Sequence, residues 1–434
     1  MHLDINRRRP APKTATRIAR SVLLILTTIV LAIACGGGSD WVRFRGKQGR
    51  GYTRTAIQPP LAVKWKLRLQ FDEFSTLSFN PPVVMDDTIY FGSNDGNFYA
   101  LDIESGYMRW VFRTDGPINS VPAADEENVY FGSNDGYFYC VSRKDGKEVW
   151  SFDTGRKVQS STVIYRDYVV FTSDIGATYL FTPQGVEYHQ IPNRAWLYHT
   201  FQLFEDIMYF APGPENRPVS LGAYDITNHG YLWILDTAND NAHWYSFPAL
   251  RGNKLFYATS GFPGGGSELT FYALDTRTGE IIWNYVDDSL LGARTSINPY
   301  RLLQKNIELL DFMAPSLWRN TVIFTAGDTI VRAFSQASGR LVWTRNYLYP
   351  TSSAPTVAAD RVYFGVHGDN LTGEVLEAES FYESPKIVAL SARNGKTLWE
   401  LDIEGSLLSA PVVAGKWIVF GTDKNVFYVL EEVL

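Results

Sequence analysis

Apolar and polar residues alternate along most of the chain in short runs, and one run occurs twice almost letter for letter. Residues 89–99 read Ile-Tyr-Phe-Gly-Ser-Asn-Asp-Gly-Asn-Phe-Tyr, and residues 129–139 read Val-Tyr-Phe-Gly-Ser-Asn-Asp-Gly-Tyr-Phe-Tyr. A tryptophan closes each copy, Trp110 and Trp150, so the period is 40 residues. Repeated runs of β-branched and aromatic residues at this period are typical of the stacked four-stranded sheets of a β-propeller.

The pattern predicts eight such sheets, or blades. Hairpin strands recur around Tyr90, Tyr130, Val170, Tyr209, Phe256, Ile323, Tyr363 and Val419. Aromatic residues mark the strands that close the blades: Trp65, Trp110, Trp150, Tyr188, Trp233, Trp283, Trp343 and Trp399. The two sets are out of phase, because Trp65 precedes the first hairpin and no such strand follows the last. We therefore predict an all-β ring in which residues 63–67 complete the blade begun by residues 411–430.

The turns between the strands agree with this fold. Gly96 and Gly136 follow Asn-Asp pairs in loops that need a positive φ angle. Asp95 and Asp135 could also be Ca²⁺ ligands, but the loops lack the further acidic residues that such a site requires. We interpret them as turn residues.

Three insertions lengthen the repeat, at residues 260–270, 286–312 and 366–386, and apolar residues have helical spacing within residues 298–310. Insertions in a propeller project from its faces, which makes these segments candidate contact surfaces. The sequence predicts a propeller over residues 61–434.

The first 34 residues differ from the rest. A basic start is followed by an uncharged apolar run over residues 21–34, which is short for a membrane span. This pattern predicts a signal peptide. Leu31-Ala32-Ile33-Ala34-Cys35 resembles a bacterial lipobox, so Cys35 is the predicted lipidation site and residues 35–60 a tether and lead-in. The alternative is an uncleaved anchor helix with an incidental cysteine.

Composition narrows the functional classes. The net charge of −6 disfavours a nucleic-acid partner. The six histidines have no metal-ligand spacing, and neither a His-Glu-x-x-His nor a Gly-x-Ser-x-Gly motif occurs. The second cysteine, Cys140, aligns with Ala100 of the preceding repeat and is predicted to be a buried core residue. The residues therefore indicate neither a metal site nor an enzyme.

Two unusual stretches precede the predicted innermost strands of adjacent blades, where other repeats have serine. With an arginine from a comparable connection they form one candidate cluster at the mouth of the central channel: Trp196, Tyr198, His199, His243, Trp244, Tyr245 and Arg294. Aromatic, histidine and arginine side chains there could hold a planar ligand or a peptide. The alternative is that these bulky residues simply fill the channel.

Residues 90–110 resemble the repeat of the PQQ-type propellers. They begin with Tyr-Phe-Gly-Ser-x-Asp-Gly and end with Ser-Gly-x-x-x-Trp. Trp41-Val42-Arg43-Phe44-Arg45-Gly46 is similar to the start of many exported members. The resemblance extends from about Trp41 to Leu430. It is specific for the fold and weak for function, because function depends on sites added to the fold.

Two branches of this family have different functions. Quinoprotein dehydrogenases hold PQQ and Ca²⁺, and the best-known ones cover the cofactor with a disulfide between adjacent cysteines, which this chain lacks. The BamB outer-membrane assembly lipoproteins are similar in length, blade number, signal peptide and lipid-bearing cysteine. That resemblance implies a lipid-anchored, non-enzymatic scaffold of the outer membrane, facing the periplasm, whose partner is the barrel-assembly complex. The alternatives are a PQQ-binding oxidoreductase or sensor, and a surface propeller that binds polysaccharide or peptide.

Overall fold

A computed structural model describes residues 40–46, 48–69, 80–174, 177–192, 201–210, 220–236, 242–245, 247–261, 268–287, 313–347, 349–368 and 384–433. These residues contain 34 β-strands and no helix. The predicted signal peptide and Cys35 lie outside them, as does the stretch predicted to be helical. No helix in the described ranges is long and apolar enough to cross a membrane.

In chain order the strands are β1 (Tyr52–Thr53), β2 (Leu61–Arg68), β3 (Val83–Met85), β4 (Thr88–Gly92), β5 (Asn97–Asp102), β6 (Met108–Arg113), β7 (Ala123–Ala124), β8 (Asn128–Gly132), β9 (Tyr137–Ser142), β10 (Glu148–Asp153), β11 (Val163–Tyr165), β12 (Tyr168–Thr172), β13 (Ala177–Phe181), β14 (Glu187–Pro192), β15 (Phe201–Phe204), β16 (Ile207–Phe210) and β17 (Ser220–Asp225). They continue with β18 (Gly230–Asp236), β19 (Ala242–Tyr245), β20 (Ala249–Arg251), β21 (Lys254–Gly261), β22 (Glu268–Asp275), β23 (Ile281–Asp287), β24 (Ser316–Trp318), β25 (Thr321–Phe324), β26 (Ile330–Ser335), β27 (Leu341–Asn346), β28 (Thr356–Ala358), β29 (Arg361–Val366), β30 (Lys386–Ser391), β31 (Thr397–Asp402), β32 (Val412–Ala414), β33 (Trp417–Gly421) and β34 (Val426–Glu432).

These strands form eight antiparallel blades, as predicted. Blades 1 to 4 are β3–β6, β7–β10, β11–β14 and β15–β18; blades 5 and 6 are β19–β23 and β24–β27; blade 7 is β28–β31 with β1 added in parallel; and blade 8 is β32–β34 with β2. The innermost strands are β3, β7, β11, β15, β20, β24, β28 and β32, and they contact one another in this order until β32 meets β3. The blades therefore form a closed ring.

The ring closes where the sequence predicts. Strand β2 pairs antiparallel with β34, so that Val63 lies opposite Leu430 and Lys66 opposite Tyr428. The blade formed by the end of the chain thus receives its outer strand from near the beginning. This pairing satisfies the backbone groups of an edge that an open array would leave free.

Tryptophans dock each blade against the next. Seven outer strands place a tryptophan opposite a smaller residue of the third strand: Trp65, Trp110, Trp150, Trp233, Trp283, Trp343 and Trp399. All of these except Trp399 donate an indole N–H to a backbone carbonyl of the following blade. The indole also covers a turn glycine there, as Trp110 covers Gly146 (φ +70°), where a Cβ atom would approach the ring to 2.7 Å.

Blade 3 departs from the predicted register by one residue. His189, and not Tyr188, lies opposite Leu180 at the position of the tryptophans. Tyr188 occupies the β-bulge, is 56% exposed and packs on Tyr168 at a ring-centroid distance of 4.6 Å. The prediction that Tyr188 replaces tryptophan was wrong. The bulge lies where it does in the other blades, but in blade 3 the aromatic residue occupies the bulge and a histidine follows it.

The turn carboxylates are satisfied within their own hairpins. Asp95 accepts hydrogen bonds from the backbone N–H of Asn97 (2.9 Å) and the hydroxyl of Tyr99 (2.6 Å). Asp135 accepts the equivalent two bonds in blade 2. Their interpretation as turn residues is confirmed. Cys140 is fully buried opposite Trp150, as predicted, and burial raises the pKa of its thiol to about 12.

Candidate functional site

The segment before β2 runs along the inner strands of the ring. Trp41 exchanges two backbone hydrogen bonds with Val84 in blade 1, and Val42 accepts one from Ala124 in blade 2. Further on, β1 pairs with β28 in blade 7. The described part of the predicted 35–60 lead-in, from Asp40 onward, therefore packs against the propeller itself.

Phe44 fills the centre of the ring. It is 5% exposed and packs with Val121 from blade 2, Phe247 from blade 5 and Ala314 from blade 6. The rings of Phe44 and Phe247 meet edge to face, with centroids 5.7 Å apart. Blades 2 and 6 lie on opposite sides of an eight-membered ring, so this cluster of buried side chains spans the axis.

Arg45 lies beside this core and is 1% exposed. Its guanidinium donates to the carbonyl oxygens of Pro355 (2.7 Å), Ala314 (3.0 Å) and Pro315 (3.0 Å) and to Oγ of Ser316 (2.9 Å). Burial lowers its pKa to about 9, so it remains a cation at neutral pH. The bonds connect the inner strands of blades 6 and 7, which gives the Phe-Arg-Gly sequence a structural role.

A cavity of about 400 Å³ lies between this segment and the inner strands of blades 2 to 5. Ile164, Leu203 and Leu250 contribute to a mainly apolar wall, while Arg43 and Arg50 line the side formed by the N-terminal segment. We call it the arginine pocket. The sequence analysis did not find it, because its residues come from segments up to about 200 positions apart.

Only part of the candidate cluster at the channel mouth can be compared in position with the arginine pocket. Trp196, Tyr198, His199 and Arg294 fall outside the described residues. His243, Trp244 and Tyr245 form most of β19, whose backbone pairs with the last residues of β21, whereas β20 pairs with its first residues. The arginine pocket lies at the β20 end. The candidate cluster at the channel mouth therefore stays a prediction.

Two histidines form an exceptional junction between blades 3 and 4. His189 replaces the docking tryptophan, and His229 (φ +54°) stands in blade 4 where the other turns have glycine. Their rings lie 4.0 Å apart, centroid to centroid. Nε2 of His189 is buried and has no hydrogen-bond partner. Burial, and secondly His229, lower the pKa of His189, while Glu187 opposes this.

This junction is expected to make the protein less stable in mild acid. The pKa of His189 is lower in the folded than in the unfolded protein. The contribution of the neutral His189 to folding stability is therefore fully present above about pH 6.5, and it is lost as the pH falls through the folded-state pKa. Chemical unfolding between about pH 8 and about pH 5 measures the loss. The double variant His189→Trp/His229→Gly restores the ordinary junction and should remove part of it. Identical pH profiles for the two proteins would contradict this assignment.

A quinoprotein site needs metal ligands and room for the quinone, and both can be checked in the described residues. No group of three or more His, Cys, Asp or Glu residues in them could hold a metal ion. At the level of Phe44 and Arg45 the channel is filled by packed side chains, so a planar quinone does not fit there. The second fully buried arginine of the described residues, Arg332, forms ion pairs with Asp328 and Asp287 at 2.8 Å each, so its charge is already neutralised within the protein.

Eight blades, seven of them with a docking tryptophan, closed by an N-terminal strand define a propeller of the PQQ-like repeat class. The family model described as outer membrane protein assembly factor BamB matches residues 51–192, 217–378 and 327–433, so the chain belongs to that family. No curated protein matches the sequence.

Solved structures share the fold at low identity. BamB from Moraxella catarrhalis is 13% identical with a TM-score of 0.60, covering 86% of this chain and 99% of its own. Quinohemoprotein alcohol dehydrogenase from Comamonas testosteroni is 15% identical with a TM-score of 0.65, covering 91% and 80%. A europium-containing methanol dehydrogenase is 12% identical with a TM-score of 0.61, covering 91% and 98%. Because BamB and dehydrogenases share this fold, the fold alone does not assign an activity.

Proposed function

We propose that this protein is a lipid-anchored scaffold that binds a protein partner in the assembly of outer-membrane proteins, on the periplasmic side of that membrane. Its membership of the BamB family and the lipobox-like sequence at Cys35 support the cellular role. The observation that carries protein binding is an apolar surface on the outer strands of blades 4 and 5.

This surface, the apolar rim, consists of side chains that are 40–52% exposed: Tyr231, Leu232, Ile234, Ile281, Ile282 and Val286. They come from β18 and β23, which contain no Lys, Arg or Glu. Blades 4 and 5 are neighbours in the ring, so both outer strands belong to the same part of its rim. A concentration of exposed apolar side chains on one surface favours a protein interface.

The outer strands of the other six blades are protected differently. Each carries at least one Lys, Arg or Glu, for example Lys66 in β2, Arg109 in β6, Glu148 in β10 and Glu400 in β31. Charged residues on an edge strand hinder pairing with another chain. Strands β18 and β23 each have a single charged residue, the aspartate at the end of the strand, and Asp287 is paired with Arg332. They are therefore the outer edges best suited to a partner that adds a strand or packs an apolar face.

Capture from cell-envelope membranes tests the proposal. Tagged wild-type protein is expected to recover the barrel-assembly complex. The double variant Leu232→Lys/Ile282→Lys should reduce that recovery about tenfold, because burying the two lysine charges in an interface costs at least about 1.4 kcal/mol of binding free energy. The matched control is Val149→Lys/Val342→Lys, at the same bulge positions of blades 2 and 6 and similarly exposed.

Equal recovery with both double variants would exclude the apolar rim, and failure to recover the complex with wild-type protein would refute the assembly role. Purified wild-type protein that takes up PQQ stoichiometrically with Ca²⁺ would instead favour the oxidoreductase alternative. Incorporation of labelled palmitate that is lost in Cys35→Ala tests the anchor separately.

A further inference from the structure

The arginine pocket combines apolar walls with positive charge that is not neutralised within the described residues. Arg50 donates through Nε to the carbonyl of Leu250 at 2.8 Å and through Nη1 to Gln48. Arg43 reaches the carbonyl of Ile164 at 3.5 Å. Among the described residues, no carboxylate lies within ion-pair distance of Arg43 or Arg50. Both guanidinium groups therefore have only neutral partners there.

The acidic residues near the pocket already have partners. Asp125, which lines it, accepts two backbone N–H bonds in its own turn and a hydroxyl bond of 2.7 Å from Tyr130. Asp206 pairs with Arg166, the third arginine of the lining, at 2.8 Å. With Arg166 neutralised by Asp206, the lining holds Arg43 and Arg50 against one carboxylate. The local charge is positive in a protein whose net charge is −6.

Partial burial makes these cations costly. Desolvation lowers the pKa of Arg43 and of Arg50, and the neighbouring Arg251 adds to the effect on Arg50. An anion that enters the pocket would relieve both the desolvation and the repulsion between cations. Arginine is suited to this, because its planar guanidinium can donate two parallel hydrogen bonds to a carboxylate.

We propose that the arginine pocket binds a carboxylate carried on an apolar group, as at the C-terminal residue of a peptide or in a free acylated amino acid. The carboxylate bonds to Arg43 and Arg50. The apolar group packs on Ile164, Leu203 and Leu250. A volume of about 400 Å³ lies within the usual range for small-ligand sites and accommodates one terminal residue with its neighbour.

This site is independent of the apolar rim and of the proposed assembly role. It lies at the ends of the inner strands, and it can be tested with purified full-length protein in the absence of membranes. Calorimetric titration with N-acetyl-leucine tests the free acid. The peptide acetyl-Ala-Ala-Leu tests a C-terminus, and the same peptide as its C-terminal amide is the neutral control. Inorganic phosphate tests for an anion site without an apolar requirement.

The acids are expected to bind, and the amide to bind at least about tenfold more weakly. Arg50→Gln should weaken acid binding about tenfold, and Arg50→Lys, which keeps the charge, should weaken it less. Arg156→Gln is the matched control, because Arg156 is exposed in the connection between blades 2 and 3, away from the pocket. Thermal unfolding of each variant verifies that it is folded.

Tighter binding of the peptide acid than of N-acetyl-leucine identifies a C-terminus as the ligand, and the reverse identifies a free acid. The proposal is overturned if acid and amide bind equally, if phosphate competes as well as the acids, or if neither acid binds at millimolar concentration. Unchanged acid binding in both Arg43→Gln and Arg50→Gln would overturn it as well.

Discussion

Trp343→Ala is expected to lower the free energy of unfolding by about 3–5 kcal/mol. Trp343 is 8% exposed and lies opposite Ala333, so no neighbour in its own blade can fill the space that the indole leaves. The ring covers Gly395 of blade 7 and donates its N–H to the carbonyl of Ala392 at 3.0 Å. The substitution therefore removes buried apolar area and leaves a buried carbonyl without a donor.

Urea unfolding followed by circular dichroism measures this effect. Trp343→Phe keeps most of the apolar contact and loses the indole donor, so its cost should be smaller. Val342→Ala is the control, because Val342 occupies the adjacent bulge and is 44% exposed; its expected effect is within about 0.5 kcal/mol. If Trp343→Ala behaved like Val342→Ala, tryptophan docking would not hold the blades together.

Arg45→Ala is expected to destabilise the protein by about 3 kcal/mol. The carbonyl oxygens of Ala314 and Pro315 would lose the guanidinium as donor in a buried environment. The carbonyl oxygen of Pro355 would keep only its hydrogen bond from the hydroxyl of Ser316. A cavity would also remain between blades 6 and 7. The relief of a desolvated cation offsets only part of this cost, because Arg45 has several good hydrogen bonds in place of water.

The same unfolding measurement applies, with Arg54→Ala as the control in the same N-terminal segment. Arg54 is exposed, so its removal should change the stability by no more than about 0.5 kcal/mol. Arg45→Met keeps much of the volume and distinguishes the loss of hydrogen bonds from the creation of a cavity. Equal stabilities of Arg45→Ala and Arg54→Ala would show that the segment does not anchor the ring.

Much of the fold could be predicted because the relevant information is local and repeated. Strand alternation, glycine-containing turns and a tryptophan on seven of the eight closing strands recur, and each copy supports the others. The phase difference between hairpins and tryptophans was sufficient to predict the pairing of β2 with β34. Blade 3 was mispredicted because the aromatic residue of its outer strand, Tyr188, falls in the bulge that all blades share, while His189 occupies the position of the tryptophans.

The candidate sites were harder to predict. Trp196, Tyr198, His199 and Arg294 lie outside the described residues, so that cluster remains a hypothesis. The arginine pocket has no sequence motif, since its walls come from the N-terminal segment and four separate blades. Arg43 and Arg45 belong to a recognisable sequence, Trp-Val-Arg-Phe-Arg-Gly, yet nothing in its order indicates that Arg45 is buried between blades while Arg43 lines a cavity.

The sequence by itself determined the repeat, the number of blades, the closing strand and the identity of the docking tryptophans, because periodic burial and turn chemistry are properties of neighbouring residues. Only the tertiary structure decided what occupies the centre of the ring, which apolar side chains of the outer strands are exposed, and where His189 meets His229. These features arise when residues far apart in sequence are brought together by ring closure, and their energies depend on burial and on partners that the linear order does not specify.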